Sequence, residues 1–105
     1  MNDDERALRD FLSAYLHQDW PVEFASYEDA VDEYLTDEPR IERVAGAARA
    51  LRALAASSAT EDALVQRLLD ELGSYYDPRP DRISVRDWLT SIADRLEAAT
   101  RPGPR

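Results

Sequence analysis

Apolar residues recur at three- and four-residue steps in five stretches of this sequence, and a proline or glycine stands near most of the boundaries between them. That spacing lines one side of a helix with side chains that must be buried. The first helix is predicted over Asp3 to Leu16, with Leu8, Phe11, Leu12, Tyr15 and Leu16 as its stripe. Asp3, Asp4 and Glu5 fall in its first turn, where the helix dipole favours negative charge. Pro21 forbids continuation, and Trp20, preceding a proline, is biased towards extended geometry. Ser26, with Asp29 three places on, has the spacing of a capping box and opens a second helix that buries Ala30, Val31, Tyr34 and Leu35. A third helix is predicted over about Pro39 to Ser57, with Pro39 marking the end of the second helix or standing in the first turn of the third, and with Ile41, Val44, Ala45, Ala48, Leu51, Leu54 and Ala55 as a long stripe. Gly46, Ala47 and Ala50 make it thin, so that a neighbour, internal or a second copy, can approach closely. Thr60 caps a fourth helix with Leu64, Leu68, Leu69 and Leu72 inside and Gly73 as its stop. Ser84 and Asp87 repeat the capping-box spacing ahead of a fifth helix holding Val85, Trp88, Leu89, Ile92 and Leu96.

No strand alternation, internal repeat or low-complexity tract interrupts this pattern. A chain of 105 residues supports one modest core. The expectation is an all-α single compact domain of about five helices over residues 1–100, followed by a flexible C-terminal tail at residues 101–105. Without cysteine there is no disulfide framework and no thiol chemistry. No apolar run approaches the roughly 18 to 20 residues needed to cross a bilayer. The N-terminal Met1-Asn2-Asp3-Asp4-Glu5 is the opposite of a signal peptide's basic start, which makes the cytoplasm the expected compartment.

Charge is concentrated. The chain has 22 acids against 13 bases, a net charge of −9. Between Asp10 and Pro39 lie nine acids (Asp10, Asp19, Glu23, Glu28, Asp29, Asp32, Glu33, Asp37, Glu38) and no Arg or Lys, while the rest of the chain is balanced. Such a surface repels nucleic acid and anionic membrane and favours a basic partner. A merely solvated helix face usually interleaves its signs, whereas Asp29 with Asp32 and Glu33, and Glu33 with Asp37, repel at helical spacing. A face that gives up local stability for one sign of charge suits the steering of a cationic partner.

Catalytic chemistry finds little support. His17 is the only histidine, and with Asp19 two places on it could be a base and its orienting carboxylate or a pair of metal ligands. One histidine without cysteine is a poor transition-metal set, and no serine lies in a nucleophile motif. The plainer reading of His17 is a helix C-terminal residue interacting with the last carbonyls. No glycine lies between Trp20 and Pro39 to turn the acids of the second helix into a calcium loop. No metal or other cofactor is therefore expected. Trp20 and Trp88 read first as core, with Trp20 also a candidate interface anchor. Tyr75 and Tyr76 are adjacent and cannot both face inward, so one of them is a candidate contact.

The hexapeptide Tyr15-Leu16-His17-Gln18-Asp19-Trp20 resembles the Tyr-Phe-His-Gln-Asp-Trp signature of CdiI-type immunity proteins of contact-dependent growth inhibition systems. Leu16 stands where the signature has Phe. The likeness continues through the acidic Ser-Tyr-Glu-Asp-Ala-Val helix, the long helix, a Tyr before a proline-containing loop, and Trp88-Leu89, covering roughly residues 8 to 97. It implies a cytoplasmic protein that binds and blocks a cognate toxin domain, often a nuclease with a cationic cleft, and that is not an enzyme. Because the signature is shared while toxin contacts vary, the hexapeptide is expected to be scaffold more than contact. On this reading Glu28, Asp29, Asp32, Glu33, Asp37 and Glu38 supply the electrostatic face, Asp19 and Glu23 extend it, and Tyr75 or Tyr76 is an aromatic anchor. A homo-oligomer is allowed but not implied. The alternatives are a helical adaptor or regulatory subunit docking a basic host protein, and an enzyme using His17 with Asp19.

Overall fold

Each of the five apolar stripes becomes a helix in the computed structural model, which describes residues 2–100. Helix α1 spans Asp3–Tyr15, α2 Trp20–Glu23, α3 Tyr27–Asp37, α4 Ile41–Ala56, α5 Glu61–Gln66 and α6 Val85–Thr100. A π-helical turn at Arg67–Glu71 prolongs α5, and a single 3-10 turn lies at Arg79–Asp81. No strand occurs among the described residues, and the all-α class follows. The tail expected at residues 101–105 lies outside them.

The predicted caps close their helices. Ser26 Oγ accepts from the backbone N–H of Asp29 at 3.2 Å, Thr60 Oγ1 from Ala63 at 3.1 Å, and Ser84 Oγ from Asp87 at 3.0 Å. Asn2, unnoticed in the sequence, caps α1 by accepting from Glu5 N–H at 2.8 Å. Gly73 has φ +76°, the left-handed conformation that ends a helix without the strain a Cβ would bring.

Three expectations need correction. Trp20 is not in an extended link but begins the one-turn helix α2, with Pro21 in the first turn, where its missing N–H is harmless. Its packing against Tyr76 outweighs the local bias of a residue before proline. Pro39 does not open α4. Glu38 and Arg40 are extended, with Arg40 as the N-cap, so Pro39 ends α3. Ile41 is 60% exposed, since it is the first residue of α4 and lies beyond the packed part of the stripe.

Helix α4 is the centre of the bundle, packed on α1 along one flank and on α6 along another. Gly46, Ala47 and Ala50 are buried together with Val44, Ala48 and Leu51. A Cβ on Gly46 would stand 2.9 Å from Asp4 Oδ1, so the thin flank is filled by α1 of the same chain. Arg43–Asp10 and Arg49–Asp4 pairs at 2.7 and 2.9 Å reinforce this contact, and Arg52 reaches Glu97 and Asp94 on α6. Leu64, Leu68 and Leu72 from α5 and its π turn, with Val85, Trp88, Leu89, Ile92 and Leu96 from α6, complete the core.

Helix α3 buries Ala30 and Val31 completely, as its stripe predicts, and adds ring contacts at its two ends. Tyr34 stacks on Phe11 at 4.2 Å between centroids and meets Tyr15 edge-on at 5.5 Å. Tyr27, at the other end, lies 4.9 Å from Tyr76 and 5.8 Å from the fully buried Trp88.

The α4–α5 connection depends on a residue with no sequence signal. The Arg86 guanidinium donates to the carbonyls of Ala55, Ser57 and Ala59. Replacing it with Met keeps the stem but leaves partly buried carbonyls without a charged donor. Arg86→Met is expected to lower the unfolding free energy by about 2 kcal/mol, against under ~0.5 kcal/mol for Arg9→Met on the exposed side of α1. Urea denaturation of the two variants at neutral pH measures the difference.

Candidate functional site

The outward face of α3 carries its acids in two i, i+4 ridges, Asp29–Glu33–Asp37 and Glu28–Asp32, and all five residues are exposed. The stretch without Arg in sequence is not without Arg in space. Asp32 is ion-paired with Arg95 of α6. Glu38 Oε1 lies 3.2 Å from Arg43 Nε and 3.4 Å from Arg40 Nε, and Asp10 is held by Arg43. Apart from Glu38–Arg40 within the α3–α4 link, these pairs join different helices, which is why spacing along the chain did not reveal them. Asp19, Glu28, Asp29, Glu33 and Asp37 have no cationic side chain as partner among the described residues. The unanswered charge is thus narrower than the sequence implied, with the Asp29–Glu33–Asp37 ridge at its centre.

The junction after α1 is built from the hexapeptide. Leu16 is fully buried, and its carbonyl accepts from Tyr75 N–H at 2.7 Å, fastening the end of α1 to the loop after α5. His17 does not reach the last helical carbonyls as expected. Its Nδ1 accepts from the Asp19 backbone N–H at 3.0 Å, so the proton belongs on Nε2, which donates to Glu23 Oε1 at 2.9 Å. The partner of Nδ1 is thus the Asp19 backbone rather than its carboxylate, and the imagined base-and-orienter pair does not form. Glu23 is tied to His17, while the Asp19 side chain stays exposed. Among the described residues no group of three or more His, Cys, Asp or Glu is placed to hold a metal ion, and no helix is long and apolar enough to cross a membrane.

The two tyrosines part as adjacent residues must. Tyr75 is 63% exposed and Tyr76 only 5%. Tyr76 donates its hydroxyl to Asp81 Oδ2 at 2.7 Å, and buried Ser74 satisfies both backbone groups of Tyr76. Any aromatic anchor at this loop is therefore Tyr75. Val22 of α2 is 88% exposed.

Tyr76 instead lines a cavity of about 520 Å³ with Trp20, Tyr27, Glu28 and Asp81. The structure thus joins Trp20, Glu28 and Tyr76, singled out separately in the sequence, with Tyr27 and Asp81, which were not. Tyr27 could have been read, since it lies three and four residues before Ala30 and Val31 on the same side of α3. Asp81 sits in a proline-rich loop with no periodicity to place it. A second cavity, of about 560 Å³ between α1, α4 and α5, holds none of the site residues expected from sequence.

Tyrosine ionisation reports on the C-terminal end of α3. Burial first, then the hydrogen bond to Asp37 and the charges of Asp37, Glu33 and Glu38, push Tyr15 from the usual 10.0 up to about 12. Burial is also the main cause of the rise of Tyr34 to about 12, followed by Glu38. A group whose pKa is higher in the folded state stabilises the fold fully below its unfolded value and loses that contribution as pH rises through the folded value. Unfolding free energy should therefore show no tyrosine-linked loss up to about pH 10 and fall between pH 10 and 12. Tyr15→Phe should reduce the fall, as checked by urea titrations across that range.

The family described as CdiI immunity protein matches residues 5–96. No curated protein and no solved structure gives a match. The matched span runs from the first turn of α1 into the last turn of α6, and so takes in the hexapeptide, the acidic α3 and the Tyr75–Tyr76 loop. With most of its length matched, the chain belongs to the CdiI immunity protein family.

Proposed function

We propose that this chain is a non-enzymatic, cytoplasmic immunity protein that neutralises a cognate toxin domain by one-to-one binding through the acidic face of α3. The observation that carries this reading is the family match over residues 5–96. The exposed Asp29–Glu33–Asp37 ridge supports it independently. A row of like charges on one helix, without cationic partners inside the chain, is compensated best by a partner's positive surface. A nuclease is the toxin class that fits, because a cleft that holds a phosphate backbone must be cationic. Asp19, Glu28 and the exposed Tyr75 extend the face. Asp32, Glu38 and Glu23 contribute to its potential while tied to Arg95, to Arg40 and Arg43, and to His17.

Co-expression with the toxin-like domain encoded beside this gene tests the function. Restored growth and a purified one-to-one complex support it, and cell death despite soluble expression refutes it. The face is tested by reversing Asp29 and Glu33 to Lys, which spares the Asp32–Arg95 pair. Association at low salt should slow by about tenfold or more with unchanged helicity by circular dichroism. Loss of helicity would return these residues to a structural role.

A further inference from the structure

We infer that the cavity lined by Trp20, Tyr27, Tyr76, Glu28 and Asp81 receives an arginine side chain of the bound toxin domain. This rests on the immunity reading and adds a defined contact to it. The walls are aromatic. Trp20 stands edge-on to Tyr76 at 5.5 Å between centroids and 82° between planes, while Tyr27 lies 4.9 Å from Tyr76 at 32°. The remaining walls supply two carboxylates and no cation. Asp81 spends one oxygen on the Tyr76 hydroxyl, and neither Asp81 nor Glu28 has an ion-pair partner among the described residues.

The pairing of these features identifies the occupant. Aromatic faces attract cations through the ring quadrupole, best when the cation is weakly hydrated. A guanidinium meets that condition, is flat enough to lie along a ring, and keeps in-plane donors for carboxylates at the rim. An ammonium gains the charge attraction but lacks the flat surface and the fork of donors. An anion would face two carboxylates, although the cavity touches the start of α3. There the Ser26 side chain already takes the Asp29 N–H, and Glu28 and Asp29 offset the helix dipole. The negative field is felt inside the cavity. Burial first, then the charge of Glu28, raises Tyr27, with Arg95 opposing and Asp81 adding to the rise, and burial with the Asp81 hydrogen bond raises Tyr76.

The test uses the isosteric double variant Glu28→Gln/Asp81→Asn, whose new amide oxygen at position 81 can still accept from the Tyr76 hydroxyl. Dissociation of the toxin complex should speed up by about tenfold or more. The ridge variant Asp29→Asn/Glu33→Gln should chiefly slow association. A pocket variant that alters association alone, with dissociation unchanged, overturns the pocket while leaving the immunity reading intact. A second measurement needs no toxin. Acetyl-arginine methylamide titrated into the free protein should give saturable NMR shifts at the Trp20 indole and the Tyr27 and Tyr76 rings, weaker with the lysine analogue and lost in the double variant. Saturable arginine binding without toxin rescue would keep the pocket and refute immunity, and no arginine-specific shift would overturn the pocket even where rescue succeeds.

Discussion

The narrow flank of α4 is the constraint on which the rest of the bundle depends. A Cβ on Gly46 would press on the Asp4 carboxylate at 2.9 Å and touch the α1 backbone at 3.7 Å, and Ala47 and Ala50 are buried beside it. With α1 on that flank and α6 on another, α4 becomes a shared wall and the chain needs no further layer to bury its stripes. Interiors packed to crystal-like density transmit such a fit over the whole domain. The π turn after α5 belongs to the same economy of space. It carries Leu68 and Leu72 to the core in line with Leu64, and it delivers the chain to Gly73 and the loop that fastens α1.

Helix α3 lies at the edge of the bundle, held by the buried Ala30 and Val31 and by rings at its two ends. Magnitudes show why this suffices. An aromatic pair adds about 0.5–1.5 kcal/mol beyond the area it buries, while a like-charge pair at helical spacing costs only a few tenths of a kcal/mol. Tyr34 on Phe11 and Tyr15, and Tyr27 on Tyr76 and Trp88, therefore outweigh the repulsion along Asp29, Glu33 and Asp37. Held along its inner side, α3 keeps its outer side free to expose charge. The Asp32–Arg95 pair works to the same end, tying α3 to α6 without using the outer ridge.

What could be read from the sequence is what depends on neighbours along the chain. Stripe spacing gave the five long helices and nearly all of their buried residues, and the Ser26, Thr60 and Ser84 caps were legible because a cap acts three residues away. Some local bonds escaped notice, as at Asn2 and His17, but most failures are of longer range. Arg95 and Arg43 reach the acids from other helices, and Arg86 reaches carbonyls about thirty residues back. Ile41 looked buried because periodicity says which side a residue faces, not whether the neighbour extends that far. The candidate site was legible as charge but not as shape. Glu28, Trp20 and Tyr76 were each noticed, yet only folding brings them to one cavity with Tyr27 and Asp81.

Charge and shape act at different stages of an encounter, and the protein separates them in space. An exposed ridge works over a Debye length of about 8 Å at physiological salt, far enough to orient an approaching cationic surface but too solvated to hold it. A partly enclosed aromatic cavity works only on contact, where water has been displaced and a guanidinium loses little hydration. The hexapeptide connects the two. Leu16 locks α1 to the Tyr75 loop, His17 fixes Glu23, and Trp20 forms a wall of the cavity that α3 opens with Tyr27 and Glu28. On the proposed reading, a stretch that reads as scaffold thereby sets the place of capture relative to the ridge. Binding specificity can then change through surface residues of α3 while the cavity and the bundle beneath it stay the same.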